Sequence, residues 1–302
     1  MKRELAKGRR FDTYAQLMDA AVKQKTRDIF PWIKPGVIVD AGFGTGLILW
    51  YMAKRFPTSH LFGLDLSKNF ISLAEKRFKN SKRVSVLRAD VAEKNLPSNS
   101  VDTKIYSTVM HEVYSYKGYK ISFVKKALQN SLKELRPGGR LIIRDGVRPQ
   151  KETVYLKLKA GDGSNNTSLN AEKLSTEAMF LKFSKEFKHG NGVRYSIVSD
   201  KKIGLLYKMD SSAAYEFLCK KDYRKNWHIE VNEQFGYLTE KEYKKLLQKL
   251  GYKIIHSRSY LNPWILKNRW RRTSAVYKKR KGRFIKTSFP ATNIVIVAKK
   301  TS

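Results

Sequence analysis

Over the first 150 residues, short apolar runs alternate with amphipathic stretches, the pattern of strands alternating with helices. Val37, Ile38 and Val39 make a buried strand ending on Asp40, and LILWYMAKRF after it has helical character. LFGLDLS from Leu61 and VSVLRAD from Val84 read as the second and third strands, ending in Asp65 and Asp90. Between them Ser67 is an N-cap for the helix NFISLAEKRF. VDTKIYSTVMHEV covers a fourth strand, and KGYKISFVKKALQNSLKEL is helical, stopped by Pro137, Gly138 and Gly139. GRLIIRDGV is the fifth strand. Residues 11–30 form a lead-in helix with Phe11, Tyr14, Leu17, Ala21 and Ile29 near one face.

The alternation then breaks. Residues 151–235 hold a helix (171–187), a hairpin-like pair (RYSIVS and IGLLYKM) and another helix (212–220), too much for a simple connection. It resumes with a capping box at Thr239 and Glu242 opening KEYKKLLQKL, and Gly251 stops that helix. YKIIHSRSYL is the sixth strand and TNIVIVAK the seventh. The expected organisation is 1–150 as a core with its N-terminal helix, 151–235 as an inserted region, and 236–302 completing the sheet around a basic loop, 266–286.

Gly42, Gly44 and Gly46 follow Asp40 at alternate positions, letting the backbone turn sharply and approach a ligand above a helix N-terminus. The dinucleotide frame G-x-G-x-x-G fails, because its third glycine falls on Leu47. The frame present is D-x-G-x-G-x-G. An acid about 20 residues beyond such a loop is placed to bind a ribose hydroxyl, which suits Asp65. Three strands ending in acids suggest three contacts along one carboxyl edge. The plainer alternatives are a strand-end turn residue for Asp40 and an N-cap or loop acid for Asp65 and Asp90.

On VIVDAGFGTG, LFGLDLS, RADVAEKNLP, VDTKIYSTVMHEV and LKELRPGGRLIIRDGV, about half the chain, the sequence resembles the class I S-adenosylmethionine-dependent methyltransferases, bacterial ones in particular. The resemblance implies an α/β fold: a seven-stranded, doubly wound, mostly parallel sheet with an antiparallel last strand between the fifth and sixth. It implies that 151–235 is a cap inserted between strands five and six, over the carboxyl edge. The implied cofactor is S-adenosyl-L-methionine, with Gly42, Gly44 and Gly46 at its methionine and ribose part. Asp65 would hold the ribose and Asp90 lie by the adenine, with Asp40, Phe43, Leu66, Val91 and Ser107 completing the site.

Methyl transfer from a sulfonium is an in-line displacement, so positioning matters most, and an oxygen or ring-nitrogen acceptor also needs a base. His111 and Glu112, just after the fourth strand, are candidates, and Asp145 at the end of the fifth competes with them. The alternatives are a satisfied helix-start histidine and a capping or lysine-paired glutamate. The segment with Trp227, His228, Glu230, Glu233 and Phe235 either closes the acceptor pocket or packs. STVMHEV is not the Asn/Asp-Pro-Pro-aromatic cluster that clamps a flipped base. No cysteine near strands four or five serves a covalent pyrimidine mechanism, and no acid cluster for a metal can be assembled.

Charge changes the picture of partners. Sixty-two Lys and Arg against 26 Asp and Glu give a formal +36 over 302 residues, which favours polyanions. LKNRWRRTSAVYKKRKGRFIK (266–286) holds ten basic residues, no acid, and Trp270, Tyr277 and Phe284. Arg269, Arg271, Arg272, Lys278, Lys279, Arg280, Lys281 and Arg283 are there the candidate contacts for an anionic acceptor, RNA favoured. The alternatives are a solvated loop or an acidic membrane surface. One cysteine, Cys219, excludes an internal disulfide and fits a reducing compartment. MKRELAKGRR lacks a following apolar region, so the expected location is cytoplasmic, organellar import being the minor alternative. Three functions are open: a methyltransferase of an anionic or RNA-held O or N acceptor, one of a small metabolite or peptide, and a non-catalytic nucleic-acid-binding scaffold.

Overall fold

The computed structural model describes residues 21–189 and 192–301, so Phe11, Tyr14 and Leu17 of the lead-in helix lie outside the described residues. The chain divides into two compact units. The first takes the chain up to Gly146 with Glu240–Arg258 and the stretch from Ile294 onward; the second takes Val147–Thr239 and Ser259–Asn293.

In the first unit β1 (Val37–Ala41), β2 (His60–Asp65), β3 (Val84–Arg88), β4 (Val101–Ser107) and β5 (Leu135–Gly146) pair in parallel. With β9 (Tyr252–Tyr260) and β12 (Asn293–Lys300) they form one seven-stranded sheet, ordered β3-β2-β1-β4-β5-β12-β9. The last strand enters between the fifth and sixth of the sheet and runs antiparallel. Ile38, Val39, Leu141, Ile142 and Ile296 are fully buried, each contributing roughly 1.5–3 kcal/mol by leaving water. The sheet order reverses between β1 and β4, the switch point where such sheets open a crevice at their carboxyl ends.

Helix α1 (Val22–Ile29) precedes β1, and α2 (Leu47–Arg55), α3 (Lys68–Phe78), α4 (Met110–Tyr116) and α5 (Ile121–Glu134) connect these strands. The Ser67 side chain caps α3, accepting from the Phe70 N–H at 3.4 Å. Every residue of β4 is buried, polar ones included, and most of the polar ones find partners. Asp102 accepts the Val37 N–H and pairs with Arg136, and the Thr103 hydroxyl bonds the Lys34 backbone. Lys104 reaches Glu134 at 2.5 Å, both side chains fully buried, while Glu134 also accepts the N–H groups of Asn95 and Leu96. Pro137-Gly138-Gly139 does not stop a helix. Helix α5 ends at Glu134, β5 begins at once, and these residues lie where its pairing with β4 shifts register.

The second unit has its own antiparallel sheet: β6 (Thr153–Leu158), β7 (Tyr195–Asp200), β8 (Gly204–Asp210), β10 (Ser274–Arg280) and β11 (Arg283–Thr287), ordered β11-β10-β6-β8-β7. Helices α6 (Thr176–Glu186) and α7 (Ser211–Lys220) bring Phe180, Phe183 and Phe217 to its core beside Leu156 and Trp270. The insertion is therefore larger than 151–235. The basic stretch 266–286 belongs to this second unit, as a helical turn over Leu266–Trp270 and then, from Ser274, a hairpin of its sheet, and is not a loop in the completion of the first. Helix α8 (Glu240–Lys249) returns the chain to the first unit.

Candidate active site

The glycine loop takes its shape from left-handed backbone at Gly42, Gly44 and Gly46, with φ of 78°, 56° and 72°. The N–H groups of Gly42 and Phe43 donate to the Leu64 carbonyl, which ties the loop to β2. A Cβ on Gly42 would lie 2.5 Å from Val109, so the loop abuts the residue just before α4. The buried Phe43 ring packs against Gly63 of β2.

Asp65 is the acid most closely bound to this loop. One oxygen accepts the Gly44 N–H at 3.0 Å and the other the Ser67 N–H at 2.9 Å. Burial raises its pKa, while the N–H groups of Ser67, Gly44 and Leu66 oppose the rise. The Leu66 carbonyl accepts from Arg88. Asp40, 1% exposed, has no hydrogen-bond partner on either oxygen. Burial lifts its pKa to about 7, the charge of Lys25 pulls it down and that of Asp65 pushes it up. Asp90 accepts the Ala92 N–H and pairs with Lys117 at 2.7 Å, so it is part loop cap and part ion pair. Val91 is buried and its carbonyl accepts from Tyr106, whereas the buried Ser107 hydroxyl at the end of β4 has no partner.

The structure joins two candidates that the sequence set in competition. His111 Nδ1 lies 2.7 Å from one oxygen of Asp145, and the His111 backbone N–H donates to the other at 2.9 Å. The first oxygen also accepts the Gly146 N–H at 2.8 Å. A carboxylate so held accepts a hydrogen bond from Nδ1–H, the tautomer that carries its lone pair on Nε2. Asp145 is thus joined to His111 by two hydrogen bonds and does not stand apart from it. Glu112 follows on the first turn of α4, half-buried.

Two features here had no signal in the sequence. Thr108, a β-branched residue, has φ of 62° directly between Ser107 and Val109, a strained conformation of the kind that gathers at functional sites. Arg144 forms a buried ion pair with Asp28 of α1 at 2.8 Å, securing the lead-in helix to β5 one residue before Asp145. No local pattern could join residues 116 positions apart.

The remaining candidates lie in the second unit. Trp227 is buried beside Phe183 with its indole N–H on Glu186, so this part of the 227–235 segment packs. The N–H groups of Phe235 and Gly236 are held by Glu216. Among the basic residues, Arg269 is paired with Asp222 and Lys278 with Glu152. Arg271, Arg272, Lys279, Arg280, Lys281 and Arg283 are exposed.

Comparison with known proteins gives these features a family. Residues 39–143, which carry the glycine loop, Asp65, Asp90, Ser107 and His111, match the family model described as a methyltransferase domain. They form a class I S-adenosylmethionine-dependent methyltransferase domain. A ubiquinone/menaquinone biosynthesis C-methyltransferase of Syntrophotalea carbinolica is 28% identical over 115 residues, 38% of this chain and 45% of that protein. A U6 snRNA (guanine-N(2))-methyltransferase of Bos taurus is 29% identical over 150 residues, 48% and 28% of the two chains. An uncharacterised protein of Rickettsia prowazekii is 28% identical over 156 residues, 51% and 60%. The chain thus spans less than two thirds of each relative. For fold, an S-adenosylmethionine-dependent methyltransferase of Mesorhizobium loti superposes with a TM-score of 0.54 at 16% identity, covering 93% of this chain and 99% of that one.

The residues of the methyltransferase domain fit its cofactor. A turn of three left-handed glycines at the switch point, the unpartnered Asp40 and Ser107 oxygens beside it, and Asp65 at the end of the neighbouring strand make a polar cradle. Among the described residues no helix is long and apolar enough to cross a membrane.

Proposed function

We propose that the chain transfers the methyl group of S-adenosylmethionine to an oxygen or nitrogen of an anionic or RNA-associated acceptor. The single observation that carries this reading is the His111–Asp145 pair, set at the carboxyl ends of β4 and β5 beside the glycine loop. The cofactor, when bound, supplies an activated methyl on a sulfonium, so the protein need only position and deprotonate. Asp65 holds the ribose hydroxyls, and Asp90 with Val91 borders the adenine. Asp40 and Ser107 offer their free oxygens to the polar groups of the methionine part. His111 Nε2 would take the acceptor's O–H or N–H proton, freeing the lone pair that receives the methyl group as its bond to the sulfonium sulfur breaks and the thioether leaves. Asp145 stabilises the imidazolium that results.

A second reading, methylation of a small metabolite, is supported by the absence of a base-clamping cluster after β4 and by the quinone-pathway enzyme among the relatives. The snRNA enzyme among them leans the other way. The test is tritium transfer from labelled cofactor into fractionated cell extract. Asp145→Asn offers His111 an amide that stabilises the wrong tautomer, and His111→Ala removes the base. Each is expected to lower turnover about 10²- to 10⁴-fold with cofactor affinity nearly unchanged. Undiminished transfer in both variants would dismiss the base.

A further inference from the structure

The second unit's sheet has a face turned away from that unit's core. Strand pairing sets Lys208, Tyr155, Tyr277 and Lys286 in one row across β8, β6, β10 and β11. Beside the row, Lys279 stands opposite Phe284, and Lys157 opposite Ala275. Neighbouring residues of a strand point to opposite sides, and Leu156, Tyr207 and Val276 point into the core. The row therefore occupies the other face. Lys157, Lys208, Lys279 and Lys286 are exposed. The Phe284 ring meets Tyr155 edge to face at 4.9 Å, and Lys279 Nζ lies 5.3 Å from the centre of the Phe284 ring. Asp210, on the same side, is already engaged as the N-cap of α7, accepting from the Ser212 N–H and hydroxyl.

The hairpin that ends this face is built against its own local preferences. Arg280 sits directly across from Arg283, a destabilising pair of like charges. Lys281 and Gly282 turn the chain with φ of 46° and 77°, the first unusual for a lysine. Lysines on an edge strand commonly guard against aggregation. Guarding asks neither for opposed arginines at a turn nor for aromatic rings between the lysines.

We propose that this face and the hairpin tip dock single-stranded RNA, the cations meeting phosphates and the rings of Phe284 and Tyr277 stacking on unpaired bases. Adjacent strands lie about 4.8 Å apart, so the row from Lys208 to Lys286 spans roughly 14 Å. Sheets of that width serve two or three splayed bases. A duplex hides its bases from such rings, and an anionic lipid surface has none to offer. The surface deepens the proposed reading by naming how RNA would be held, and its binding is measured without cofactor, so its failure would leave methyl transfer to another acceptor standing.

The test is fluorescence anisotropy of a labelled oligouridine of about twelve nucleotides with the full chain across a salt series. Log affinity is expected to fall with log salt at a slope near −3, about −0.7 for each of four phosphate contacts. Lys279→Gln with Lys286→Gln reduces the slope by about 1.4. Phe284→Ala weakens binding about tenfold and leaves the slope in place. Lys76→Gln with Lys125→Gln, two exposed lysines of the first unit, leaves both unchanged. Should Phe284→Ala prove unstable in a thermal melt, the exposed lysine pairs decide alone. Equal losses from the two lysine pairs, no loss from either, or equally tight binding of duplex RNA or phosphatidylglycerol vesicles would overturn the proposal.

Discussion

The buried, unpartnered carboxyl of Asp40 makes a prediction that can be worked in energy. Its pKa rises from 3.8 to about 7 on folding, chiefly through loss of water. Between those values the folded chain keeps a proton that the unfolded chain has released. Stability from this group is therefore full below about pH 4 and declines as pH rises to about 7, the reverse of a salt-bridged acid. A gap of about 3 units corresponds to ~4 kcal/mol, the moderating charge of Lys25 included. Asp40→Asn keeps the shape and removes the titration. Its carboxamide leaves a buried donor unmet, so the informative quantity is the pH dependence of the difference from wild type and not the difference itself. Urea unfolding of both proteins from about pH 4.5 to 8.5 measures it, and titrating groups not coupled to Asp40 cancel in the subtraction. The variant is expected to gain about 3–4 kcal/mol relative to wild type across that range. Parallel curves would show that Asp40 is not buried as described, and the polar cradle would lose one of its members.

Two further predictions concern the scaffold of the site. Gly42→Ala meets Val109 at 2.5 Å as well as a φ of 78°, whereas Gly118→Ala meets only a φ of 77° in open space. The first is expected to lower stability by about 1–3 kcal/mol more than the second and to weaken cofactor binding; equal melting temperatures would refute the close approach. Lys104→Met strands Glu134 and is expected to cost about 3–5 kcal/mol, while Lys126→Met, at the exposed pair with Glu93, costs less than about 1. A small loss at Lys104, read by denaturant unfolding, would mean that the buried pair is open to water.

The parts legible in the sequence are those set by local pattern. Val37–Val39, Leu61–Leu64 and Leu141–Ile143 announce buried parallel strands by apolar runs, and Ser67 announces its helix by its own hydroxyl. The glycine spacing gave the loop because only glycine accepts three left-handed turns in five residues. The basic segment misled through its charge: Val276, Tyr277, Phe284 and Ile285 are β-branched or aromatic residues on either side of a two-residue Lys-Gly turn, and ten cations outweighed that hairpin signal. Contacts between distant residues left no trace. His111 with Asp145, and Arg144 with Asp28, become pairs only when parallel strands bring their carboxyl ends to one edge. Strain at Thr108 is likewise a product of that edge and not of threonine.

The central claim is that the crevice at the glycine loop holds S-adenosylmethionine through Asp65. Isothermal calorimetry with S-adenosylhomocysteine tests it without any knowledge of the acceptor. Wild type is expected to bind, and Asp65→Ala to bind at least about tenfold more weakly while melting as a folded protein, since it forfeits charge-assisted hydrogen bonds. No heat from wild type at high micromolar ligand, or equal affinity in the two proteins, would contradict the account.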